Sequence, residues 1–174
     1  MQASSFNNSD CIKALKQYDA WQRKMLPLQA SSRLADLLST GLVYFSGRDY
    51  LFRPLVVVNA KKIIEMKLKD AELLEVLGFF YQYLIENCLI EGQVENWITL
   101  IDLGYCGVFS VGGALMDIIK HLSSIFRVRS RHNYLVKCPS SIRFIWKMVK
   151  KVLNEDQLRK ITILEKDGLR EEDF

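Results

Sequence analysis

The 174 residues of this chain are enough to bury the core of one domain, and 49% of them are apolar. No apolar run approaches the roughly twenty residues that a membrane-spanning helix needs, and the first residues lack the cationic start and apolar centre of a signal peptide. The missing span and signal peptide predict a cytoplasmic protein. Its net charge is +4, and we expect it to be peripheral at membranes.

The positive charge is concentrated in one segment. Residues 127–160 carry 10 basic and 2 acidic side chains, whereas residues 1–126 carry 12 basic and 13 acidic ones. Such a block predicts an anionic partner, either an acidic membrane or a nucleic acid. A nucleic-acid groove would be expected to show recognisable motif signatures or exposed aromatic side chains between the basic ones, but Phe144 and Trp146 fall within a helical apolar pattern. We therefore expect an anionic membrane surface as partner and no nucleic acid.

The N-terminal part of the chain is predicted to form two helices. Asp10 is a candidate N-cap for a helix that continues to Pro27, and a second short helix is expected at residues 31–39. An apolar run at residues 42–45 then leads into a predicted loop at residues 46–54.

Four apolar runs separated by helical patterns predict the strands of one sheet. These runs lie near Leu55–Asn59, Trp97–Leu103, Tyr134–Val136 and Ile161–Leu164. The helices between them are expected from Asp70 to near Gly92, from about Gly113 to Phe126, and from Ser140 to Leu153. Long helices between strands imply right-handed crossovers. The sequence thus predicts an α/β fold with a mostly parallel β-sheet flanked by helices.

The segment from Ser140 to Leu153 is predicted to be a basic amphipathic helix. Large apolar residues share one face at spacings of three and four; they are Ile142, Ile145, Trp146, Val149, Val152 and Leu153. The cations lie on the flanks and back of that face; they are Arg143, Lys147, Lys150 and Lys151. Such a helix can lay apolar side chains against lipid while its cations meet anionic headgroups. An ordinary crossover helix packed on the sheet is the alternative.

Residues that would carry catalysis or hold a metal form no recognisable set. The sequence has no GxSxG, glycine-rich phosphate loop, HExxH or CxxC. His121 and His132 have no evident triad partner, and the four cysteines lack metal-ligand spacing. Asp102 ends a predicted strand where parallel sheets place ligands, although an aspartate that caps the following turn is common. We expect no catalytic residue, no metal and no cofactor.

Four groups of residues form an ordered set along the chain. The first three are Trp21-Gln22-Arg23-Lys24, Gly47-Arg48-Asp49 with Arg53-Pro54, and Ile101-Asp102-Leu103-Gly104. The fourth comprises Pro139, Phe144, Trp146, Lys150, Leu153, Lys160, Ile161 and Leu164. Together they span roughly residues 12–164 and resemble the CRAL-TRIO lipid-binding domain of the phosphatidylinositol-transfer-protein type. The corresponding family patterns are W-R-K, G-R-D…G-R-P-V, D-L-x-G and N-x-P-x-x-F…W…K-P-x-L…K-I-x-x-L.

The resemblance implies a sheet that floors a hydrophobic pocket, closed by a mobile gate helix at Ser140–Leu153. It assigns residues 41–164 to the lipid-binding domain, after a reduced N-terminal helical segment at 1–40 and before an acidic tail at 165–174. The side chains expected at the lipid are Phe79, Phe80, Tyr83, Ile98, Leu100, Phe109, Leu115, Ile118, Ile142, Ile145, Trp146 and Val149. Lys160 and Arg129 are expected at its headgroup. Membrane contact is expected for Arg143, Phe144, Lys147, Lys150 and Lys151.

The expected function is non-enzymatic binding, and transfer between membranes, of a phospholipid or another hydrophobic ligand. The family's acidic residue after Tyr-Pro falls at Val128 here, and its asparagine before the Pro motif falls at Lys137, so the choice of headgroup is left open. The alternative is a membrane- or protein-docking module with a shrunken or absent lipid pocket. An α/β enzyme would need a polar pocket with perturbed titratable groups, and the sequence offers no such set.

Overall fold

A computed structural model of the chain describes residues 7–105, 113–126, 129–140 and 142–164. In chain order the helices are α1 (Asn8–Met25), α2 (Ser32–Ser39), α3 (Ala60–Met66), α4 (Asp70–Asn87), α5 (Gly113–Ile125), α6 (Ile142–Val152) and α7 (Glu155–Leu158). The strands are β1 (Val43–Arg48), β2 (Pro54–Asn59), β3 (Trp97–Asp102), β4 (Ser130–Val136) and β5 (Ile161–Ile163). Within these residues, no helix has both the length and the apolar character needed to cross a membrane.

The five strands form one sheet in the order β1-β2-β3-β4-β5. β1 runs antiparallel to β2, and every other neighbouring pair is parallel. Because consecutive parallel strands are adjacent and such crossovers are right-handed, their connecting helices lie on one face of the sheet. We call this side the helix face. The predicted α/β fold with a mostly parallel sheet flanked by helices is confirmed.

The main core lies between the helix face and the helices α2, α4 and α5. Val43, Val56 and Trp97 from the sheet pack there with buried leucine and isoleucine side chains of these helices. Val56 is paired with Thr99 in the parallel register of β2 and β3, so both residues point to the helix face. Burial of apolar surface, at about 25 cal/mol per Å², is the main force that holds the helices on the sheet.

Aromatic rings join α1 to this core. Tyr81 of α4 stacks on Trp97 with ring centroids 5.1 Å apart, and the ring of Phe126 lies 5.4 Å from that of Tyr81. Trp21 of α1 meets Phe126 edge-on at 5.0 Å. Gly78 permits this approach, because a Cβ at that position would lie 3.2 Å from Cζ2 of Trp21. The N-terminal helix is therefore packed on the main core.

A second, smaller apolar cluster holds α6. Val149 is its buried member, and the partly buried side chains around it are Ile119, Ile142, Trp146, Leu153, Leu158 and Ile161. We call this group the α6 cluster. Among the described side chains, it joins α6 to α5, α7 and β5 and forms a group apart from the main core.

All four predicted strands are present, but the sheet also contains β1. The apolar run at residues 42–45 begins this strand, which continues to Arg48 through a segment that was predicted to be a loop. The pairing of β1 with β2 is irregular between Phe45 and Arg48. Such a bulge breaks the alternation of side chains, and for this reason the sequence pattern did not reveal the strand.

The bounds of α1, α4 and α6 differ from the prediction. Asn7, and not Asp10, caps α1, because its side chain accepts a hydrogen bond from the backbone N–H of Asp10. Both residue types are favoured at N-caps, so composition does not separate them. α4 ends at Asn87 because the chain then turns back on itself in an antiparallel bridge near residue 90. α6 spans Ile142–Val152, slightly shorter than predicted.

Candidate functional site

The apolar side of α6 is turned toward the domain. Ile142 and Trp146 pack against Val149, as do Ile119 of α5 and Ile161 of β5. Spacings of four and three residues place Ile142, Trp146 and Val149 on one face of the helix, in agreement with the predicted amphipathic pattern. In this arrangement α6 covers the helix face near β5.

The remaining surface of α6 carries cations and one exposed aromatic ring. Lys147, Lys150 and Lys151 are exposed, and Phe144 is 56% exposed. The Nζ of Lys150 lies 5.8 Å from the ring centroid of Trp146, within the range of a cation–π interaction. Phe144, which is expected at the membrane, faces solvent, whereas Trp146, which is expected at the lipid, is half-buried in the α6 cluster.

The predicted wall residues on α4 and α5 lie at the main core. Phe79 and Phe80 pack against this core and Ile118 belongs to it, whereas the neighbouring Ile119 belongs to the α6 cluster. Tyr83 is half-exposed and stacks on Phe79 with ring centroids 6.4 Å apart. The predictions for Phe109 and for the side chains of Leu115, Arg143 and Ile145 lie outside the described residues.

Ile98 and Leu100 of β3 lie on the face of the sheet opposite the helix face. Trp97 stacks on Tyr81 of α4, and Thr99 shares a side-chain hydrogen bond with the same tyrosine. Because side chains alternate along a strand, Ile98 and Leu100 point the other way. The structure therefore does not bring these two residues together with the predicted wall residues of α4 and α5. The continuous apolar run of this strand shows no alternation, so the sequence could not predict which of its side chains point to which face of the sheet.

Lys160 and Arg129, the residues predicted at a lipid headgroup, lie together at the N-terminal ends of β5 and β4. The Nζ of Lys160 donates a hydrogen bond to the backbone carbonyl of Ser130 at 3.2 Å. Arg129 pairs with the carboxylate of Glu95 and also donates to the backbone carbonyl of Glu95 at 2.9 Å. The cation of Lys160 thus meets a neutral partner, whereas that of Arg129 is offset by a carboxylate.

Glu95 is a candidate functional residue that sequence reasoning missed. A backbone hydrogen bond from Gly92 lowers the pKa of its carboxyl group, and the hydrogen bond and charge of Arg129 lower this pKa further. Glu95 and Arg129 are 34 positions apart in the chain. They meet because the backbone N–H of Trp97 bonds to the carbonyl of Arg129, and no local sequence signal indicates that pairing.

Asp102 caps a turn. Its Oδ1 accepts a hydrogen bond from the backbone N–H of Gly104 at 2.9 Å, and its Oδ2 lies 2.6 Å from the Nζ of Lys137. Both oxygens are therefore engaged within the fold, as in the turn-capping alternative considered for this residue. Among the described residues, no group of three His, Cys, Asp or Glu side chains is arranged to hold a metal ion.

The strand order and the helices over one face define an α/β domain whose parallel sheet carries one antiparallel edge strand. The sequence of residues 38–172 matches the family model of the CRAL/TRIO domain, and the chain belongs to this family. Domains of the family bind hydrophobic lipid ligands.

Among solved structures, the chain is similar to the crystal structure of Sfh5, with a TM-score of 0.71 and 14% sequence identity. The similarity covers 94% of this chain and 63% of the Sfh5 chain. At this identity the likeness shows the shared fold, and the chain spans less than two thirds of the length of that relative. A search of curated proteins found no match.

Proposed function

We propose that the chain binds a phospholipid or another hydrophobic ligand between the sheet and α6, and that α6 is the gate through which the ligand enters. The observation that carries this proposal is the division of the apolar core. Among the side chains that the structure describes, α6 packs in its own small cluster, so moving it outward would break that cluster and leave the described members of the main core in place. An element with a low free energy of opening is what exchange of a ligand with a membrane requires.

The charge and exposure of α6 support contact with an anionic bilayer. Lys147, Lys150 and Lys151 are exposed, and each cation near such a surface contributes about 1 kcal/mol. Phe144 is exposed and suits the interfacial layer. Phe144 lies on the side of α6 away from its apolar residues, so α6 must turn as it opens before its apolar side can enter that layer. A lipid that leaves the bilayer is stabilised in the protein by burial of its acyl chains, at about 0.8 kcal/mol per methylene.

Lipid extraction tests this proposal. Native mass spectrometry of the purified protein should show one bound lipid per chain. Phosphatidylcholine vesicles that carry a fluorescent phospholipid should then lose label to the protein and, through it, to unlabelled acceptor vesicles. If neither a bound lipid nor extraction is found, the chain has no working lipid pocket and the proposal is wrong.

A matched pair of variants tests the role of α6. The triple variant Lys147→Gln, Lys150→Gln, Lys151→Gln should bind vesicles with phosphatidylserine about 100-fold more weakly, at about 1 kcal/mol per cation. The control replaces Lys13, Lys16 and Lys24 of α1 by Gln, which removes the same charge from another exposed helix. Its vesicle binding should change little, and both thermal midpoints should stay near the parent value. Equal losses in both variants would show that net charge alone matters.

The docking module is the second candidate, and the pair of Glu95 with Arg129 favours it. This pair offsets one of the two cations predicted at a headgroup. A chain with a shrunken pocket would still bind anionic vesicles through α6 but would extract no lipid. Vesicle binding without extraction is therefore the result that would identify it.

A further inference from the structure

The hairpin of β1 and β2 ends in three consecutive exposed apolar side chains. Tyr50 is 72% exposed, Leu51 50% and Phe52 65%. They belong to the turn at Asp49–Arg53, which we call the hairpin tip. Single exposed apolar residues are common on protein surfaces, but a contiguous group marks a surface that meets a partner or a membrane.

Hydrogen bonds to Asp49 hold the hairpin tip in one shape. The Oδ1 of Asp49 accepts from the backbone N–H of Leu51 at 3.0 Å and from that of Arg53 at 2.8 Å. Arg48 adds two bonds from its guanidinium, to the carbonyls of Phe52 and Cys88, both at 2.8 Å. The apolar side chains are therefore presented outward from a fixed backbone, which reduces the entropy lost when they bind.

Phe52 occupies a backbone conformation that suits glycine better. Its φ of +61° lies in the left-handed region, which is unfavourable for a bulky residue. The G-R-D…G-R-P-V pattern has glycine directly before the Arg-Pro pair, where this chain has Phe52. The exposed ring gains little burial inside the domain to offset this strain. A contact of this ring outside the domain would offset the strain.

The charges around the hairpin tip match an anionic bilayer. The side chain of Asp49 is only 2% exposed and lies 2.5 Å from the guanidinium of Arg53, so this carboxylate is not presented at the surface. Arg48 binds backbone carbonyls and lies 5.7 Å from the ring centroid of Phe45. No acidic side chain takes part in these contacts of Arg48. Apolar and aromatic side chains beside such a cation suit the interfacial layer of an anionic membrane.

The topology places the hairpin tip at the same end of the sheet as the C-terminal end of α6. β2 begins directly after the tip, and α6 leads from the end of β4 back toward the start of β5. Lys150 and Lys151, near the end of α6, therefore lie toward the same end of the domain. One flat membrane surface can meet the tip and these lysines together.

We propose that the hairpin tip is a second membrane anchor, which inserts Tyr50, Leu51 and Phe52 into the interfacial layer of an anionic phospholipid bilayer. The choice of a bilayer as partner rests on the proposed function, but the anchor needs neither a lipid pocket nor movement of α6.

The test is a tip variant that carries Tyr50→Ser, Leu51→Ser and Phe52→Gly. Its binding to phosphatidylcholine vesicles that contain phosphatidylserine should be weaker by about tenfold or more. Its thermal midpoint should stay at or above that of the parent, because glycine relieves the strain at residue 52. The control replaces Ile12 and Leu15, two exposed apolar residues of α1, by Gln, and its vesicle binding should be unchanged.

Insertion is measured directly with Leu51→Trp. Vesicles with brominated acyl chains should quench the added tryptophan emission beyond the quenching of the parent protein, because bromine quenches only at close range. If the tip variant binds vesicles as the parent does, or if this added emission is not quenched, the proposal is wrong. If the tip variant loses self-association seen in the parent and keeps its vesicle binding, the tip is an interface between copies and the proposal is also wrong.

A soluble short-chain fluorescent phospholipid separates this proposal from the proposed function. The parent and the tip variant should bind this monomer equally, since no vesicle is involved. If the parent does not bind the monomer but its vesicle binding still depends on the tip, the lipid pocket fails while the anchor stands. If the parent binds the monomer but no vesicles, the anchor fails while the pocket stands.

Discussion

The carboxylate of Asp102 joins the ends of two neighbouring parallel strands, because its Oδ2 lies 2.6 Å from the Nζ of Lys137. The hydrogen bond to Asp102 raises the pKa of Lys137, and the charge of Asp102 raises it further. The same aspartate holds the following turn through the backbone N–H of Gly104. This carboxylate lies at the C-terminal end of a parallel strand, where ligands often bind, but its partners are Gly104 and Lys137 of the fold itself.

The two roles of Asp102 can be separated by substitution. Asp102→Asn keeps an oxygen for the N–H of Gly104, whereas Asp102→Ala removes this acceptor as well. We expect Asp102→Ala to be less stable than Asp102→Asn by about 0.5–1.5 kcal/mol, the usual net contribution of one hydrogen bond. Urea unfolding at neutral pH measures both. Equal stabilities of the two variants would contradict a role for this turn hydrogen bond.

Gly104 should not tolerate a side chain. Its φ is +54°, and an added Cβ would lie 2.8 Å from the Cβ of Lys61. The left-handed conformation alone costs about 1–2 kcal/mol for an L-residue, so Gly104→Ala should destabilise the domain by at least this amount. Adding Lys61→Ala should restore only part of the loss, because the contact with Cβ and the backbone strain both remain. Full recovery in the double variant would show that the outer part of the lysine side chain was the sole obstacle.

Tyr81 and Thr99 should behave as a coupled pair. Burial raises the pKa of Tyr81 to about 12, although its hydrogen bond with Thr99 acts in the opposite direction. Thr99 is buried, so Tyr81→Phe removes this partner from the Thr99 hydroxyl. The substitution should lower the free energy of unfolding by about 1–3 kcal/mol. The double variant Tyr81→Phe, Thr99→Val should lose less than the sum of the single losses. Additive losses in thermal or urea unfolding would contradict the coupling.

Stability should fall as His132 becomes protonated. Burial lowers the pKa of His132, and the charge of Arg131 lowers it further. The unfolded chain therefore takes up this proton more readily than the folded one. The contribution of neutral His132 is fully present above its unfolded pKa of about 6.5 and is lost as the pH falls toward the lower folded pKa.

Urea unfolding at about pH 7.5 and about pH 5.5 measures this loss across the titration of histidine. His132→Gln should reduce the difference in stability between the two pH values. His121→Gln removes the other histidine of the chain and serves as the control. If both variants keep the full pH dependence of the parent, the titration of His132 does not govern it.

Glu95→Gln should strengthen the binding of an anionic lipid if the headgroup lies at Arg129 and Lys160. The neutral amide would no longer offset the charge of Arg129, whereas Lys160→Gln should weaken the same binding. Extraction of phosphatidylinositol against phosphatidylcholine from mixed vesicles measures the preference. Glu91→Gln, at a neighbouring exposed position, is the control for net charge. Equal effects of the two glutamate substitutions would place the headgroup elsewhere.

Local residue patterns and tertiary contacts carry different kinds of information about this fold. The apolar runs at β2 and β3 and the spacings in α6 predicted strands and a helix at the right places, because periodicity is a property of neighbouring residues. β1 escaped prediction since its bulge breaks that periodicity. The N-cap of α1 was placed at Asp10 and lies at Asn7, because several nearby residues could have filled the role.

The sequence by itself determined the α/β class, the parallel strands and the basic amphipathic character of α6. Only the tertiary structure decided that Ile98 faces away from the helices, that Glu95 reaches Arg129, and that α6 has an apolar cluster of its own. These features depend on the register between strands and on the packing of the crossover helices. Strand register and helix packing both bring together residues that are far apart in the chain. They are selected by the free energy of burying surface between those residues, and no local sequence pattern reveals that burial.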